Sequence, residues 1–465
     1  MTDQQTPTPP PPFDPNAEHQ AKPHLRAVRG FPVQGSTPDG QQVQMMGLAD
    51  QRQISDKMVA TIPAAQQVLP LMDGTRSVDD IAAAVEGMPR EWLENFIAQL
   101  DDAGLIIGPN FEGMRVRMRE QFDGTDILPP GSSADFADAL VNAHAQKDGV
   151  EATDEMKTEQ GPARLREQLN TWIDAALKEA KDPAFDTLPK AIVAPHIDYA
   201  RGWHNYANVY GRMRVVDRPD RIVILGTNHF GEGTGVVVSN KGFSTPLGTC
   251  PVDSALLGKL EGDLGEPLLK NRYDHEREHS IELQLPWIQH VLGDGGETEI
   301  PVLAALVHDP AVNNGESYDG EGVGLDEFVA SLRKGLDELG GTTLIISSAD
   351  LSHVGPAFGD REPMAAPAEN AEAAEQAEQR RNQIVKHDQD MLAYVRDHKA
   401  DELISAMAWQ QNPTRWCSIG NLSAMLKLVA PPEGAEKPDT KLLSYSAAVD
   451  PNGMSMVSSM AIAVM

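Results

Sequence analysis

Short, predominantly apolar segments constrain the fold of the second half of this chain more than any other feature. They are rich in valine, isoleucine and leucine, and they include AIVAP, RIVILG, GVVVSN, IPVLAALV, TLIISS and MVSSMAIAVM. Strands buried on both faces have this composition, because neither of their faces carries regularly spaced polar residues. Amphipathic stretches such as PARLREQLNTWIDAALKEA predict helices around them. The pattern predicts an α/β fold with a central mixed sheet flanked by helices.

The charge balance bears on the partners that the chain can bind. It has 69 acidic and 39 basic residues, which give a formal net charge of −30. Nucleic acids and anionic membranes attract clustered lysine and arginine, so we expect neither as a partner. The apolar segments are all shorter than the roughly 18 residues of a membrane span, and the first residues do not resemble a secretory signal. We therefore expect a cytoplasmic protein.

Composition divides the chain into four segments. The first residues are rich in proline, threonine and glutamine, so we expect 1–45 to be disordered. We expect a small compact unit over 46–115, a linker over 116–160 with a helix around Ala134 to Ala145, and a single α/β domain over 161–465. The cysteines, Cys250 and Cys417, are far apart in sequence and exclude a disulfide framework.

Helix signals are clear in the second of these segments. Ser77 and Asp80 have the spacing of a capping box, in which each side chain accepts a backbone N–H at the start of a helix. The stretches VLPLMDGTRSVDDIAAAV and ENFIAQLDDAGLI resemble the PqqD-like winged-helix domains that hold precursor peptides for modifying enzymes. The resemblance implies a peptide or protein substrate. A plain structural interaction module is an equally open interpretation, and several acidic residues argue against DNA binding.

Histidine and aspartate follow three of the apolar segments. His196 follows AIVAP, His229 follows RIVILGTN, and both Asp350 and His353 follow TLIISSA. In open α/β sheets ligands collect at the carboxyl ends of the strands, so these side chains are expected to converge in one cleft. The alternative for each histidine taken singly is a surface or helix-capping role.

Two further candidates begin apolar helices. His279 lies in HEREHSIELQLPW, and Cys417 lies in WCSIGNLSAML. Imidazole, carboxylate and thiolate groups together form a ligand set for a transition metal. Cys250 is interpreted instead as a small buried hydrophobic residue.

The order of motifs from about residue 161 onwards resembles the Memo family, which is protein B of the AmmeMemoRadiSam system. The motifs are APH, ILGTNHF, STPLG, EHSIELQLPW, IPVL and SSADLSH. Members of this family share their fold with class III extradiol dioxygenases, which use non-haem Fe(II). The resemblance implies that His196, His229 and Cys417 bind a metal, with a radical S-adenosylmethionine enzyme as a partner.

The same resemblance implies catalytic roles for three neighbours of the metal. His353 or His279 would transfer a proton, and Asp350 would orient an imidazole or add a ligand. Fe(II) is the expected metal, but the dioxygenases have a carboxylate where this chain has Cys417. A thiolate is a softer ligand than a carboxylate, so copper and zinc are also compatible with this ligand set. A metal carrier without turnover and a thiol enzyme, with Cys417 as nucleophile and His353 as base, are the alternatives.

Overall fold

The computed structural model of the chain describes residues 11–36, 42–293, 300–366, 370–432 and 434–465. It divides the chain into two compact units, Met1–Gly124 and Thr125–Met465. In the described residues no helix is both long enough and apolar enough to cross a membrane.

The first unit combines a three-stranded antiparallel sheet with helices. Its strands, in the order β1-β2-β3, are β1 (Val28–Ser36), β2 (Gln42–Asp50) and β3 (Met58–Thr61). Its helices are α1 (Glu18–Ala21), α2 (Val78–Ala84), α3 (Arg90–Asp102) and α4 (Pro109–Asp123), with 3-10 turns at Pro63–Gln67 and Leu69–Leu71. The capping box of Ser77 and Asp80 is present at the start of α2. The PqqD-like winged-helix assignment stays a prediction.

The disorder expected over 1–45 is wrong for the described residues 11–36, which contain α1 and β1. Arg26 forms an ion pair of 3.0 Å with the buried carboxylate of Asp50, and its guanidinium lies 3.7 Å from the centre of the Phe111 ring. The backbone N–H of Leu25 donates to the carbonyl of Met72. Composition missed this order because the stabilising partners lie elsewhere in the sequence. Residues 1–10 and 37–41 lie outside the described residues.

The second unit contains the remaining helices and strands. The helices are α5 (Ser132–Lys147), α6 (Asp154–Leu177), α7 (Tyr199–Tyr210), α8 (Ser254–Leu264), α9 (His279–Glu282), α10 (Leu285–Leu292), α11 (Leu325–Leu339), α12 (Ala371–Arg396), α13 (Ala400–Gln410) and α14 (Ile419–Leu428). The strands are β4 (Ile127–Leu128), β5 (Ala191–Ala194), β6 (Arg221–Thr227), β7 (Val237–Val238), β8 (Gly242–Thr245), β9 (Gly248–Cys250), β10 (Val302–Val307), β11 (Thr343–Ser348), β12 (Asp350–Val354), β13 (Thr440–Val449) and β14 (Met456–Val464). Four 3-10 turns complete it: Gly211–Met213, Glu266–Leu268, Arg272–His275 and Pro356–Phe358.

A large mixed sheet forms the centre of this unit, and the predicted fold class is confirmed. Its strand order is β12-β14-β5-β11-β6-β10-β7, and β13 pairs with β14. The neighbours from β5 to β10 are parallel, whereas β14, β12, β13 and β7 pair in the antiparallel sense. The helix α7 packs against β5, β13 and β14, and α14 packs against β6, β10 and β11. Strands β4, β8 and β9 form a separate small sheet.

The segment 116–160, for which we expected a linker with one helix, contains the second half of α4, all of α5 and the start of α6. The buried carboxylate of Glu282 accepts hydrogen bonds from the backbone N–H groups of Gly131, Ser132 and Ser133, at 2.9 to 3.0 Å. These are free donors at the positive end of α5, so the carboxylate caps this helix and fixes it to α9. A helix was expected near its observed position, but its attachment depends on a residue about 150 positions away.

A buried carboxylate on α12 connects three strands of the sheet to the loop before α14. Asp388 accepts hydrogen bonds from the hydroxyls of Ser352, Tyr445 and Ser458 and from the indole N–H of Trp416, at 2.5 to 2.8 Å. The donors come from β12, β13, β14 and the loop before α14. This interaction therefore positions the residue that immediately precedes Cys417.

We expect Asp388→Ala to lower the free energy of unfolding by about 3 kcal/mol, because it leaves several buried donors without an acceptor. Denaturant titration measures this loss. Asp390→Ala is the matched control on the same helix, since its carboxylate is exposed and pairs with the exposed Lys386. Equal effects of the two substitutions would contradict the role given to Asp388.

Candidate metal centre

The aligned ends of parallel strands bring the candidate residues together. In the register of β5 and β11, Ala194 lies opposite Ser348, and β6 lies on the other side of β11. His196 is two residues beyond the end of β5, and His229 is two residues beyond the end of β6. Because the three strands end at one edge of the sheet, the two imidazoles meet there, with ring centroids 5.0 Å apart.

Cys417 completes a three-residue cluster with these histidines. The Sγ atom of Cys417 lies 3.3 Å from Nε2 of His196. One potential ligand atom from each of His196, His229 and Cys417 lies within 4.8 Å of the other two. The loop that carries Cys417 is held by the hydroxyl of Thr227, which donates to the Cys417 carbonyl. The geometry thus matches the ligand set implied by the family motifs.

Hydrogen bonds from Nδ1 orient both histidine rings. Nδ1 of His196 donates to the carbonyl of Ser348 at 3.0 Å, and Nδ1 of His229 donates to Oε1 of Glu278 at 3.0 Å. A carbonyl can only accept, so neutral His196 carries its proton on Nδ1. Its Nε2 lone pair is therefore free on the side of Cys417. Histidines that bind metals are typically oriented in this way.

The protonation states of the two rings differ because their surroundings differ. Burial lowers the pKa of His196 well below its usual value, and the neighbouring histidines add to this effect. Burial also opposes protonation of His229, but the Glu278 carboxylate and the Cys417 thiol hold its pKa well above the usual value. Burial likewise opposes ionisation of Glu278, yet the His229 charge lowers its pKa. These shifts favour an imidazolium at His229 paired with the Glu278 carboxylate.

Glu278 belongs to the site, but the sequence analysis did not identify it. Besides His229, its carboxylate accepts the backbone N–H of Ser280 at 2.8 Å, and it lies 3.4 Å from Nδ1 of His279. His229, Glu278 and His279 form a second group with ligand atoms within 4.8 Å of one another. Glu278 immediately precedes His279, but Glu276 and Glu282 lie in the same stretch, HEREHSIE, so the sequence does not single it out.

Asp350 and His353 lie in the same cavity. Oδ1 of Asp350 accepts the backbone N–H of His196 at 3.2 Å, and Oδ2 lies 3.7 Å from its Nε2. Burial raises the pKa of Asp350 to about 7. Nδ1 of His353 donates to the Leu351 carbonyl, and burial lowers the pKa of His353 to about 4. The strand β12 is irregular between these residues where it pairs with β14.

The cavity is large enough for a small organic ligand, with a volume of about 470 Å³. His279 lines it, and burial lowers the pKa of this ring as well. The residues predicted from the sequence thus surround one space. Their roles as ligands and catalysts stay predictions.

The fold and the site define an α/β protein with one buried imidazole, one partly buried imidazole and a thiol at the carboxyl edge of its parallel strands. A family model described as Memo-like protein matches residues 158–463. The chain therefore belongs to the Memo-like family.

Several related proteins carry the same family name. The chain is 31% identical over 200 residues to a MEMO1 family protein of Desulfurococcus amylolyticus, covering 42% of this chain and 65% of the relative. It is 28% identical over 198 residues to one of Pyrobaculum aerophilum, with 41% and 65% covered. It is 27% identical over 312 residues to one of Aquifex aeolicus, with 66% and 71% covered. The chain thus spans just under two thirds of the first two relatives, whose names state no activity.

We expect the His229 ring to be protonated at neutral pH in metal-free protein while the His196 ring is neutral. Nitrogen NMR of the histidine rings distinguishes the two states. Glu278→Gln removes the carboxylate charge and should lower the pKa of His229, so that the ring loses its proton at a lower pH. Glu276→Gln is the matched control. A neutral His229 in the unsubstituted protein would contradict the assigned ion pair.

Proposed function

We propose that the chain binds a transition metal ion, with Fe(II) preferred, through His196, His229 and Cys417. The observation that carries the proposal is the convergence of one ligand atom from each residue within 4.8 Å. Both Nδ1 atoms are already engaged in hydrogen bonds, which leaves the opposite nitrogen of each ring for a metal. This combination of free ligand atoms and oriented rings is what a built metal site requires.

The charges of the surrounding residues suit a cation. A metal ion would replace the proton that His229 holds in metal-free protein, because a ligating imidazole must be neutral. The carboxylates of Glu278 and Asp350 are buried beside the cluster, with side chains 1% and 2% exposed. A positive ion offsets the cost of burying such negative groups.

The donor atoms favour iron over softer metals in one respect. Two imidazoles and a thiolate suit Fe(II), Zn(II) and Cu(I), but the oxygen of Asp350 lies only 3.7 Å from Nε2 of His196. A hard carboxylate so close to the ligands favours Fe(II) over Cu(I). Bound iron would supply redox chemistry with molecular oxygen, and the chain is proposed to act as a non-haem iron oxidoreductase.

Residues of the chain would donate and accept protons in such a reaction. Asp350, with a pKa of about 7, can hold or release a proton close to neutral pH. His353 and His279 are kept neutral by burial, so each can accept a proton from a molecule in the cavity. These three residues are the proposed catalytic groups.

A metal carrier without turnover is the second candidate, and the Cys417 thiol favours it, because thiolates select Cu(I) and Zn(II). The thiol-enzyme alternative has less support, since the rings that hydrogen-bond to Cys417 are those of His196 and His229 rather than His353. A radical S-adenosylmethionine enzyme and a peptide substrate, implied by the family resemblances, remain proposed partners.

Substitutions of Cys417 distinguish an Fe(II) site from a site that carries Cu(I) or Zn(II). We expect Cys417→Asp to retain Fe(II), because two imidazoles and one carboxylate form a competent iron site, whereas Cys417→Ser should lose most of the iron. Both variants should bind Cu(I) or Zn(II) far more weakly. Metal analysis after anaerobic loading measures each outcome.

The control for these variants is Cys250→Ala, because Cys250 is buried away from the cluster and its loss should leave metal content unchanged. Loss of Fe(II) from Cys417→Asp, with an unchanged circular dichroism spectrum, would favour the carrier. Activity lost in both Cys417 variants at unchanged metal content would favour the thiol enzyme.

Glu278→Gln should weaken Fe(II) binding by about 10- to 100-fold at mildly alkaline pH, because a carboxylate partner increases the basicity of a ligating histidine. Titration with Fe(II) under anaerobic conditions measures the change, and Glu276→Gln again serves as the control. Unchanged affinity would show that Glu278 has only a structural role.

A further inference from the structure

Arg201 gives the wall of the cavity a permanent positive charge. Among the described residues that line the cavity, it is the sole arginine or lysine. Its guanidinium pairs with Asp198 at 2.5 Å, and the two side chains are 39% and 51% exposed. Exposed pairs of this kind stabilise a protein little. Arg201 can therefore exchange Asp198 for an anionic group of a ligand at small cost.

The cavity that Arg201 lines is also lined by Asp350 and His353, together with His196 and His229 of the candidate metal cluster. A ligand held by Arg201 would therefore occupy the same space as these residues.

The remaining wall is largely apolar and partly aromatic. Phe136 stacks on Trp172 with centroids 5.5 Å apart and meets the edge of Tyr199 at 5.3 Å, so its ring is held in place. Phe358 packs edge-on against His353 at 5.3 Å. Further apolar contacts are available from Ile197, Leu283 and Val457. Such a surface suits a flat, apolar molecule.

We propose that this cavity binds a small carboxylic acid with a planar apolar body. Its carboxylate pairs with Arg201, and its other end points toward His196, His229 and Cys417. One guanidinium beside the Asp198 carboxylate matches a single negative charge better than a doubly charged phosphate, which needs more cations. The role of the ligand at the metal rests on the proposed function, whereas the carboxylate subsite requires no ion.

Benzoate is the probe, and benzamide is its neutral counterpart of the same shape. Calorimetry with metal-free full-length protein should show that benzoate binds with higher affinity than benzamide. We expect Arg201→Gln to weaken benzoate binding about tenfold or more, because a charge-assisted hydrogen-bond pair is lost. Asp198→Asn should strengthen it, since the competing carboxylate disappears while asparagine still caps α7. Arg214→Gln, which removes an exposed arginine outside the cavity lining, is the control.

The outcomes separate this inference from the proposed metal function. Absence of benzoate binding, equal binding of benzamide, or binding unaffected by Arg201→Gln would each overturn the carboxylate subsite. Binding that requires added Fe(II) and ignores Arg201 would place the carboxylate on the ion, which overturns the subsite but supports metal binding. Arg201-dependent binding in a protein that takes up no metal would support the subsite and refute the proposed function.

Discussion

The shared edge of β5, β11 and β6 determines the position of the candidate centre. The parallel register sets Ala194 opposite Ser348, so the residues that follow these strands leave the sheet at the same level. The middle strand also contributes directly, because the carbonyl of Ser348 accepts the proton of His196. Asp350, two residues further on, accepts the backbone N–H of His196. A shift of register between these strands would separate the ligand atoms and remove the bonds that orient them.

Electrostatic balance is the second requirement of this site. The buried Glu278 carboxylate accepts hydrogen bonds from the His229 ring and from the backbone N–H groups of His229 and Ser280, and it lies 3.4 Å from Nδ1 of His279. A positive charge beside it, either a proton on His229 or a bound cation, offsets the cost of burying this carboxylate. If a metal ion binds His229 as proposed, it takes the place of that proton, so metal binding and the protonation of His229 would be linked.

Much of the sheet and of the cluster could be predicted from local sequence. The buried strands β5, β6, β10, β11 and β14 are predominantly apolar, and His196, His229 and Asp350 each lie two residues beyond the end of such a strand. Strand β12 was not predicted, because DLSHV is polar and is stabilised as a strand only by pairing with β14.

The features that were not predicted depend on contacts between residues that are far apart in the sequence. Glu278 could not be distinguished from Glu276 and Glu282 by composition, because only packing shows that it faces His229. The attachment of α5 requires Glu282, and the order of residues 11–36 requires Asp50 and Met72. The local sequence showed Cys417 only as a candidate at the start of an apolar helix, and its proposed ligand role came from the family motifs.

The position of β14 has a consequence for synthesis on the ribosome. This strand lies between β12 and β5, yet it follows β5 in sequence by more than 250 residues. While the chain is being made, β5 lacks its antiparallel neighbour until residues 456–464 have emerged. Such long-range pairing is slow to form, because the chain between the two strands must be ordered first. The nascent protein therefore exposes the edge of β5, the strand that leads to His196, until β14 has emerged.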